Sequence, residues 1–300
     1  MAVSGSTGLI GRRLVQELAA GGHQVTVLQR RPGPVPAGVQ AAAWPQEGSA
    51  ERWAECLQGL EAVVHLGGSP IAAGRWTHER KREILASRVQ ATGRLISALA
   101  TAGVRPKAFL CASAVGYYGP CGDEPLDEGS PPGDDFLSRV CVAWEGAAAD
   151  AASLGARVVH LRTGVVLAPE GGMLARLMPF FRLGLGGPVG SGRQWLPWIS
   201  LEDEVAAIRM LMERADASGP YNLTAPQPVT SRSFARQLGQ ALRRPSAMPL
   251  PAAVVRLAFG EMGEAVLLSG QRALPRRLQD LGFSFRDADL RAALDACLRP

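Results

Sequence analysis

Gly5, Gly8 and Gly11 recur every third residue in the run Gly5-Ser6-Thr7-Gly8-Leu9-Ile10-Gly11. At the end of a strand such a run permits a tight turn at the first glycine, close backbone approach to a pyrophosphate at the second, and close helix–sheet packing at the third. The helix that follows would aim its N-terminal amides and positive dipole end at phosphate oxygens. That chemistry is the grip on a dinucleotide. The next strand ends in Arg30-Arg31, and no Asp or Glu occurs between Glu17 and Glu47. An NAD site expects a carboxylate there, on the ribose 2′-hydroxyl, whereas a guanidinium suits a 2′-phosphate in charge and geometry. The expected cofactor is therefore NADP(H); the blander alternative is a pair of solvated arginines. The missing acid also disfavours S-adenosylmethionine.

Other residues offer chemistry further along. Ser113 closes the run from Lys107, and Tyr117 and Tyr118, two of only three tyrosines, follow within five residues. A phenol beside a serine hydroxyl can orient and protonate a substrate oxygen, with Lys107 and Arg139 as available cations; the alternative is that both rings pack under the cofactor. Gly190-Ser191-Gly192-Arg193-Gln194 combines backbone amides, a guanidinium and a carboxamide, which suits a phosphate or carboxylate of a substrate. Arg75-Trp76 adds a cation and a stacking plane. Glu145 is expected to make a buried structural hydrogen bond, Trp195 and Trp198 to be core or lobe-interface aromatics, and Asp203 to cap a helix in a start signal that begins at Ser200.

These residues need a scaffold, and the pattern supplies one. Ile10, Leu14 and Leu18 recur every four residues and Gly21-Gly22 stops that helix. Strands are expected over 23–28, 39–44, 62–66, 107–113 and 156–162, with helices over 79–101 and 136–154 and a loop over 119–135. Repeated βα units mean a parallel sheet with helices on both faces, which binds ligands beyond the carboxyl ends of its strands. The second half adds a glycine-rich loop over 184–192, a strand over 195–201, a helix over 203–214, a strand over 220–224, a helix over 231–243 and a mainly helical tail from Pro249. The fold class expected is α/β: a Rossmann-type doubly wound sheet over residues 1–167, completed by parts of 195–225, with a substrate lobe over 168–300.

The bulk properties narrow the function further. The chain has 300 residues, 47% of them hydrophobic, and a formal net charge of +5. The arginines that supply this excess are scattered, which argues against a nucleic-acid face. Four isolated histidines suggest no metal site, and five cysteines without a Cys-x-x-Cys pair read as reduced thiols. No apolar run reaches transmembrane length. The first strand begins almost at residue 1, so no targeting segment and a cytoplasmic location are expected. The expected partner is a small-molecule substrate, with no nucleic acid and no membrane, and the chain a monomer or a homodimer paired through helices 79–101 and 136–154.

Taken together, the residues resemble the extended short-chain dehydrogenase/reductase superfamily and, within it, the atypical "epimerase family" subgroup. The resemblance covers nearly the whole chain. Its markers are the glycine run, Arg75-Trp76, Ser87-Arg88, Ser113-Ala-Val-Gly-Tyr-Tyr-Gly119, Arg162-Thr-Gly-Val-Val-Leu167, Phe181-Arg-Leu-Gly-Leu-Gly-Gly-Pro188, Gly190-Ser-Gly-Arg-Gln194, Pro197-Trp-Ile199 and Gly270-Gln-Arg-Ala-Leu-Pro275. It implies a Rossmann-type domain with NADP(H) and a C-terminal lobe over the substrate. By that resemblance Gln29 and Arg30 sit at the adenosine phosphate, Leu66 and Gly67 line the cofactor, and Glu83, Arg88 and Val166 complete the pocket. On residue type alone, Glu83 and Arg88 are equally an ordinary helix-surface charge pair.

One part of the superfamily's machinery is missing. Its usual engine joins a strand-end Ser or Thr to a Tyr-x-x-x-Lys helix. Ser113 fits the first place, but neither Phe136 with Val140 nor Leu137 with Cys141 supplies a phenol and an ammonium. The leading expectation is an NADP(H)-dependent oxidoreductase acting on a small polar metabolite, with Ser113 orienting the oxygen and Tyr117 as the acid. The alternatives are a catalytically silent NADP(H)-binding regulator or scaffold, and a nucleotide-sugar epimerase.

Overall fold

Strands of three to seven residues, most of them buried and several followed by an amphipathic helix, build the sheet. In the computed structural model, which describes residues 1–31, 33–44, 53, 57 and 59–298, the strands are β1 (Ala2–Ser4), β2 (Val25–Gln29), β3 (Val39–Ala43), β4 (Ala62–His65) and β5 (Ala108–Ala114). After a two-residue strand β6 (Pro125–Leu126) come β7 (Arg157–Thr163), β8 (Val165–Leu167), β9 (Trp195–Leu196), β10 (Trp198–Ser200), β11 (Gly219–Leu223), β12 (Val229–Thr230) and β13 (Arg272–Ala273). Seven form the main sheet in the order β11-β7-β5-β4-β1-β2-β3, and every pairing in it is parallel. The strand order reverses between β1 and β4, which is where an open parallel sheet leaves a crevice for a ligand. The expected Rossmann-type doubly wound sheet is the observed fold.

Alternation along each strand divides the core. Val3, Val27, Val64, Leu110 and Leu161 face α1 (Leu9–Ala20) and a later helix, where Leu14, Leu18, Ile208 and Leu211 meet them. Ala2, Leu28, Val63 and Phe109 face α2 (His78–Thr101) and α3 (Phe136–Ala149), against Leu95, Leu99 and Trp144. Period-two strands packed on both faces by period-3.6 helices leave room for little else. α2 starts one residue before its expected place because the Thr77 side chain accepts from the Arg80 amide. The helix expected over 136–154 keeps α-geometry only to Ala149; it tightens into a 3₁₀ turn over Asp150–Leu154 that ends at Gly155 with φ 81°.

The remaining helices are α4 (Gly172–Arg182), α5 (Leu201–Glu213), α6 (Ser231–Ala241), α7 (Ala252–Phe259), α8 (Arg276–Asp280) and α9 (Leu290–Leu298), with a short helical turn and one π-turn between Glu261 and Leu268. α4, α6 and α9 enclose a second core of Leu174, Phe181, Trp198, Phe234, Leu238 and Leu294. The single strand expected over 195–201 is two. Pro197 has no amide to donate, and its carbonyl accepts from Val165; β9 pairs antiparallel with β12, while β10 pairs in parallel with β8. Of the stretch 195–225, only β11 joins the main sheet. The expected cap at Asp203 is also corrected. Ser200 caps α5 by accepting from the Asp203 amide, and the Asp203 carboxylate instead accepts from the amides of Arg286 and Asp287, both at 2.9 Å. Among the described residues no helix is long and apolar enough to cross a membrane, and no cluster of His, Cys, Asp and Glu could hold a metal ion. Cys111, Cys121, Cys141 and Cys297 are free thiols; Cys56 lies outside the described residues.

Candidate functional site

The glycine run forms the turn between β1 and α1. Gly5 has φ 71°, and a Cβ there would stand 2.7 Å from the Leu66 carbonyl carbon. A Cβ on Gly11 would strike the Gly5 carbonyl oxygen, so the helix can lie this close to the turn only without one. Gly8 caps α1 with no side chain over its first amides. These amides, with Ser6 and Thr7, border a cavity of about 960 Å³ at the carboxyl ends of β1, β2 and β4. Gln29, Arg30 and Arg31 lie at the β2 end of the same cavity, and Leu66 and Gly67 at the end of β4. Gln29 Oε1 accepts from the Gly33 amide at 3.0 Å and so fixes the loop that carries the two arginines. On the other side of the glycine turn, Leu9, Ile10 and Gly11 border a smaller hollow of about 230 Å³ with Val166 and Met173.

Apart from Ser87, a marker of the resemblance, the other lining residues were not singled out from the sequence. Ser87, Gln90, Ala91 and Arg94 share one face of α2 at helical spacing, a period legible beforehand. Trp44 and His65 close the cavity's inner wall with stacked rings 5.8 Å apart. His65 Nδ1 pairs with Ser4 Oγ at 2.6 Å, and full burial lowers the imidazole pKa to about 4, so the ring is neutral. No sequence pattern marks such a residue, because a buried strand histidine has no spacing of its own.

Glu83 and Arg88 lie beside the cavity, not on its wall. Glu83 pairs with Arg80, which draws its carboxyl below the usual range. Arg88 is directed behind Gly68: its guanidinium donates to the carbonyls of Ser69 and Ile84 and lies 5.0 Å from the Trp144 ring.

A second polar centre lies at the ends of β5 and β7, where Ser113 and Arg162 are register partners. Ser113 Oγ donates to Glu145 Oε1 at 2.7 Å; Arg162 grips both oxygens of that carboxylate, from Nε at 2.8 Å and Nη2 at 2.9 Å. Burial works against the Arg162 cation, but the bonds to Glu145 outweigh it and hold the guanidinium above its ordinary range. The Arg162 guanidinium lies 3.4 Å from the centre of the Tyr117 ring. Its Nη1 donates to the Tyr118 hydroxyl, which donates in turn to Asn222 Oδ1 at 2.7 Å. Tyr118 is buried, and burial pushes its phenol up to about 12. The ring that sequence placed against substrate is thus committed to the protein interior. Glu145 makes the buried hydrogen bond expected of it, and more.

Neither candidate pair for the missing tyrosine and lysine places brings a phenol or an ammonium to this centre. Phe136 packs edge-on against Trp76 at 5.0 Å, and Val140 lies in the same apolar cluster with Ile84. Leu137 faces Gly116, and Cys141 is the residue beside Ser113, its thiol pushed up to about 12 by burial. Lys107 pairs with Glu61 and Arg139 bonds the Asp134 carbonyl, so neither joins this centre. Of the lobe residues, Gln194 Nε2 donates to the carbonyls of Val189 and Leu267, which ties its loop to the π-turn. Arg75 donates to the carbonyls of Leu257 and Ala258 at the end of α7. Arg193 is exposed.

Comparison with known proteins places this architecture. Residues 1–224 match the family model of the NAD dependent epimerase/dehydratase family, and residues 250–297 match a domain of unknown function, DUF1731. The chain is 45% identical to epimerase family protein Mb2239 of Mycobacterium bovis over 100% of its own length and 98% of that protein's. It is 41% identical to a chloroplastic SDR39U1 homolog of Arabidopsis thaliana over 100% of this chain and 86% of that one. The crystal structure of human epimerase family protein SDR39U1 (isoform2) with NADPH superposes with a TM-score of 0.88 at 38% identity, covering 99% of this chain and 98% of that one. MoeE5 in complex with UDP-glucuronic acid and NAD gives a TM-score of 0.75 at 26% identity over 98% and 95%. With residues 1–224 matching its model, the chain belongs to the NAD dependent epimerase/dehydratase family.

Proposed function

We propose that the protein binds NADP(H) in the 960 Å³ cavity and acts as an oxidoreductase of the extended short-chain dehydrogenase/reductase type on a small polar metabolite. The carrying observation is the pairing, in one cavity, of an amide-lined glycine turn with Arg30 and Arg31 and no carboxylate at the end of β2. Amides suit a pyrophosphate and guanidinium groups a 2′-phosphate. The human relative crystallised with NADPH supports the same reading.

When bound, the cofactor supplies or accepts hydride. The chain's own part is to orient the substrate oxygen. Arg162 keeps Glu145 an acceptor, so the single Ser113 proton is directed at Glu145 and the Ser113 lone pairs are left for the substrate. Ser113 therefore receives a hydrogen bond from a substrate hydroxyl more readily than it gives one to a carbonyl. Tyr117, held under Arg162, is the remaining phenol for proton transfer.

The second reading, a silent NADP(H)-binding protein, draws its support from the absent Tyr-x-x-x-Lys: neither Phe136 with Val140 nor Leu137 with Cys141 supplies a phenol and an ammonium. Calorimetric titration of NADPH and NADH into wild type and Arg30→Ala tests the shared premise. The expected result is NADPH binding weakened about 10–100-fold by the substitution, with NADH nearly unchanged. Equal affinity for the two cofactors in the wild type would sink it. A screen of alcohols with NADP⁺ at 340 nm then separates the oxidoreductase from the silent binder.

A further inference from the structure

The lobe beyond the main sheet carries a surface unlike the rest of the molecule. α7 reads Ala-Ala-Val-Val-Arg-Leu-Ala-Phe, yet Val255 is its single buried residue and Leu257 is 79% exposed. A second apolar strip, with Phe180, Leu183 (73% exposed) and Leu185, runs from the end of α4 into the glycine-rich loop. The two strips are joined by backbone hydrogen bonds. The Met248 amide donates to Gly186, Leu250 to Pro188 and Gly190 to Leu250, so residues 186–190 lie beside 248–250, which lead directly into α7. Apolar side chains this exposed, on adjoining segments, mark an interaction surface.

Its charge says what covers it. Residues 171–201 and 217–260, the segments that contain this surface, hold eight arginines and no Asp, Glu or Lys. All 27 acids of the chain lie elsewhere, with only 24 of its 32 cationic residues. Among the described residues, Arg256 alone of the eight arginines forms an ion pair, with Glu264. Arg182, Arg243 and Arg244 flank the apolar strips and are exposed. The acids next to α7, Glu261 and Glu264, are already paired with Lys81 and Arg256, so a second copy would bring Arg182, Arg243 and Arg244 against no free acid of this face. An anionic lipid surface offers both an apolar layer for leucine and phenylalanine and phosphate oxygens for guanidinium groups.

We propose that this face docks the protein peripherally on an anionic lipid bilayer, with Leu183 and Leu257 entering the interface and Arg182 and Arg243 meeting the headgroups. The proposal is independent of the cofactor reading. The absence of a membrane-crossing helix among the described residues agrees with contact at the surface alone.

The test is co-sedimentation of the full chain with vesicles of phosphatidylcholine alone, and of phosphatidylcholine with about one-quarter phosphatidylglycerol. The expected result is partition onto the anionic vesicles only, weakened by salt. Leu183→Glu/Leu257→Glu and, separately, Arg182→Glu/Arg243→Glu should each lower the partition coefficient about tenfold or more. Thermal melting matched to the wild type shows that each variant is folded. No binding of the wild type to anionic vesicles overturns the proposal, as does binding that both double variants retain. Concentration-dependent dimerisation abolished by Leu257→Glu would assign the surface to a second copy, and capture of an acidic protein without vesicle binding would assign it to a protein partner.

Discussion

Ser113 Oγ donates to Glu145 Oε1 at 2.7 Å, and Arg162 Nε reaches the same oxygen at 2.8 Å. The serine near the end of β5 is thus oriented by an ion pair whose two side chains are 4% and 11% exposed. Breaking such a pair from one side leaves the other charge buried alone, at a cost of about 3–5 kcal/mol. Glu145→Ala should lose that much in urea unfolding, with Arg162 stranded. Glu145→Gln should lose less, because the carboxamide oxygen can still accept from Arg162.

Gly11→Ala tests the cofactor turn. Its Cβ meets the Gly5 carbonyl, so the helix must back away from the turn and the amides must move with it. NADPH affinity should fall at least about tenfold, while a change at the open Gly22, where a Cβ meets nothing within 4 Å, should leave binding untouched. Calorimetry on Gly11→Ala and Gly22→Asn makes the comparison; equal binding by the two variants would count against the turn as the phosphate cradle.

His65 gives acid sensitivity. Its folded pKa of about 4 lies below the unfolded value of 6.5, so the unfolded chain binds a proton that the folded one refuses. Stability is complete above pH 6.5 and falls towards pH 4, by as much as about 3 kcal/mol from this residue. His160, also lowered by burial, adds a loss of the same sign. Denaturation midpoints measured from pH 7 to 4 should trace this limb, and His65→Asn should flatten it.

Glu204 acts in the opposite direction. It is fully buried on α5, accepts from Thr163 Oγ1 at 2.8 Å, and leaves its second oxygen without a partner among the described residues. Burial pushes its carboxyl up to about 8 from 4.5, so the folded state holds the proton longer. Stability from this group is full below pH 4.5 and declines as pH rises through 8, by as much as about 3–5 kcal/mol. Glu204→Gln should match the wild type near pH 5 and exceed it near pH 9 in the same unfolding measurement.

Much of this was legible in the sequence because backbone geometry leaves periodic traces. The glycine run, the strand-end arginines and the α2 and α3 helices follow from spacing alone, and the main sheet follows from their alternation. What was not legible depends on distant partners. Tyr118 reads like Tyr117, and only the folded chain shows that Asn222 and Arg162 take its hydroxyl. Gln194 and Arg75 look like substrate ligands until their carbonyl partners in the lobe are seen. Asp203 has the local signature of a cap, yet its partners are 83 and 84 residues away. Pro197 divides a strand because its neighbours on either side pair with different chain segments.

The carboxylate of Asp203, held by the amides of Arg286 and Asp287, has company. Asn222 Nδ2 donates to the Leu274 carbonyl at 2.9 Å, and Glu128 accepts from the Arg277 amide. Three buried polar groups of the first 224 residues thus find partners in the last 30, and the Asp203 carboxylate finds its backbone partners there alone. On the ribosome, the dinucleotide-binding sheet is synthesised well before those partners emerge, and its polar groups stay hydrated until they do. A protein truncated near residue 260 would leave these groups without those partners and should therefore fold poorly.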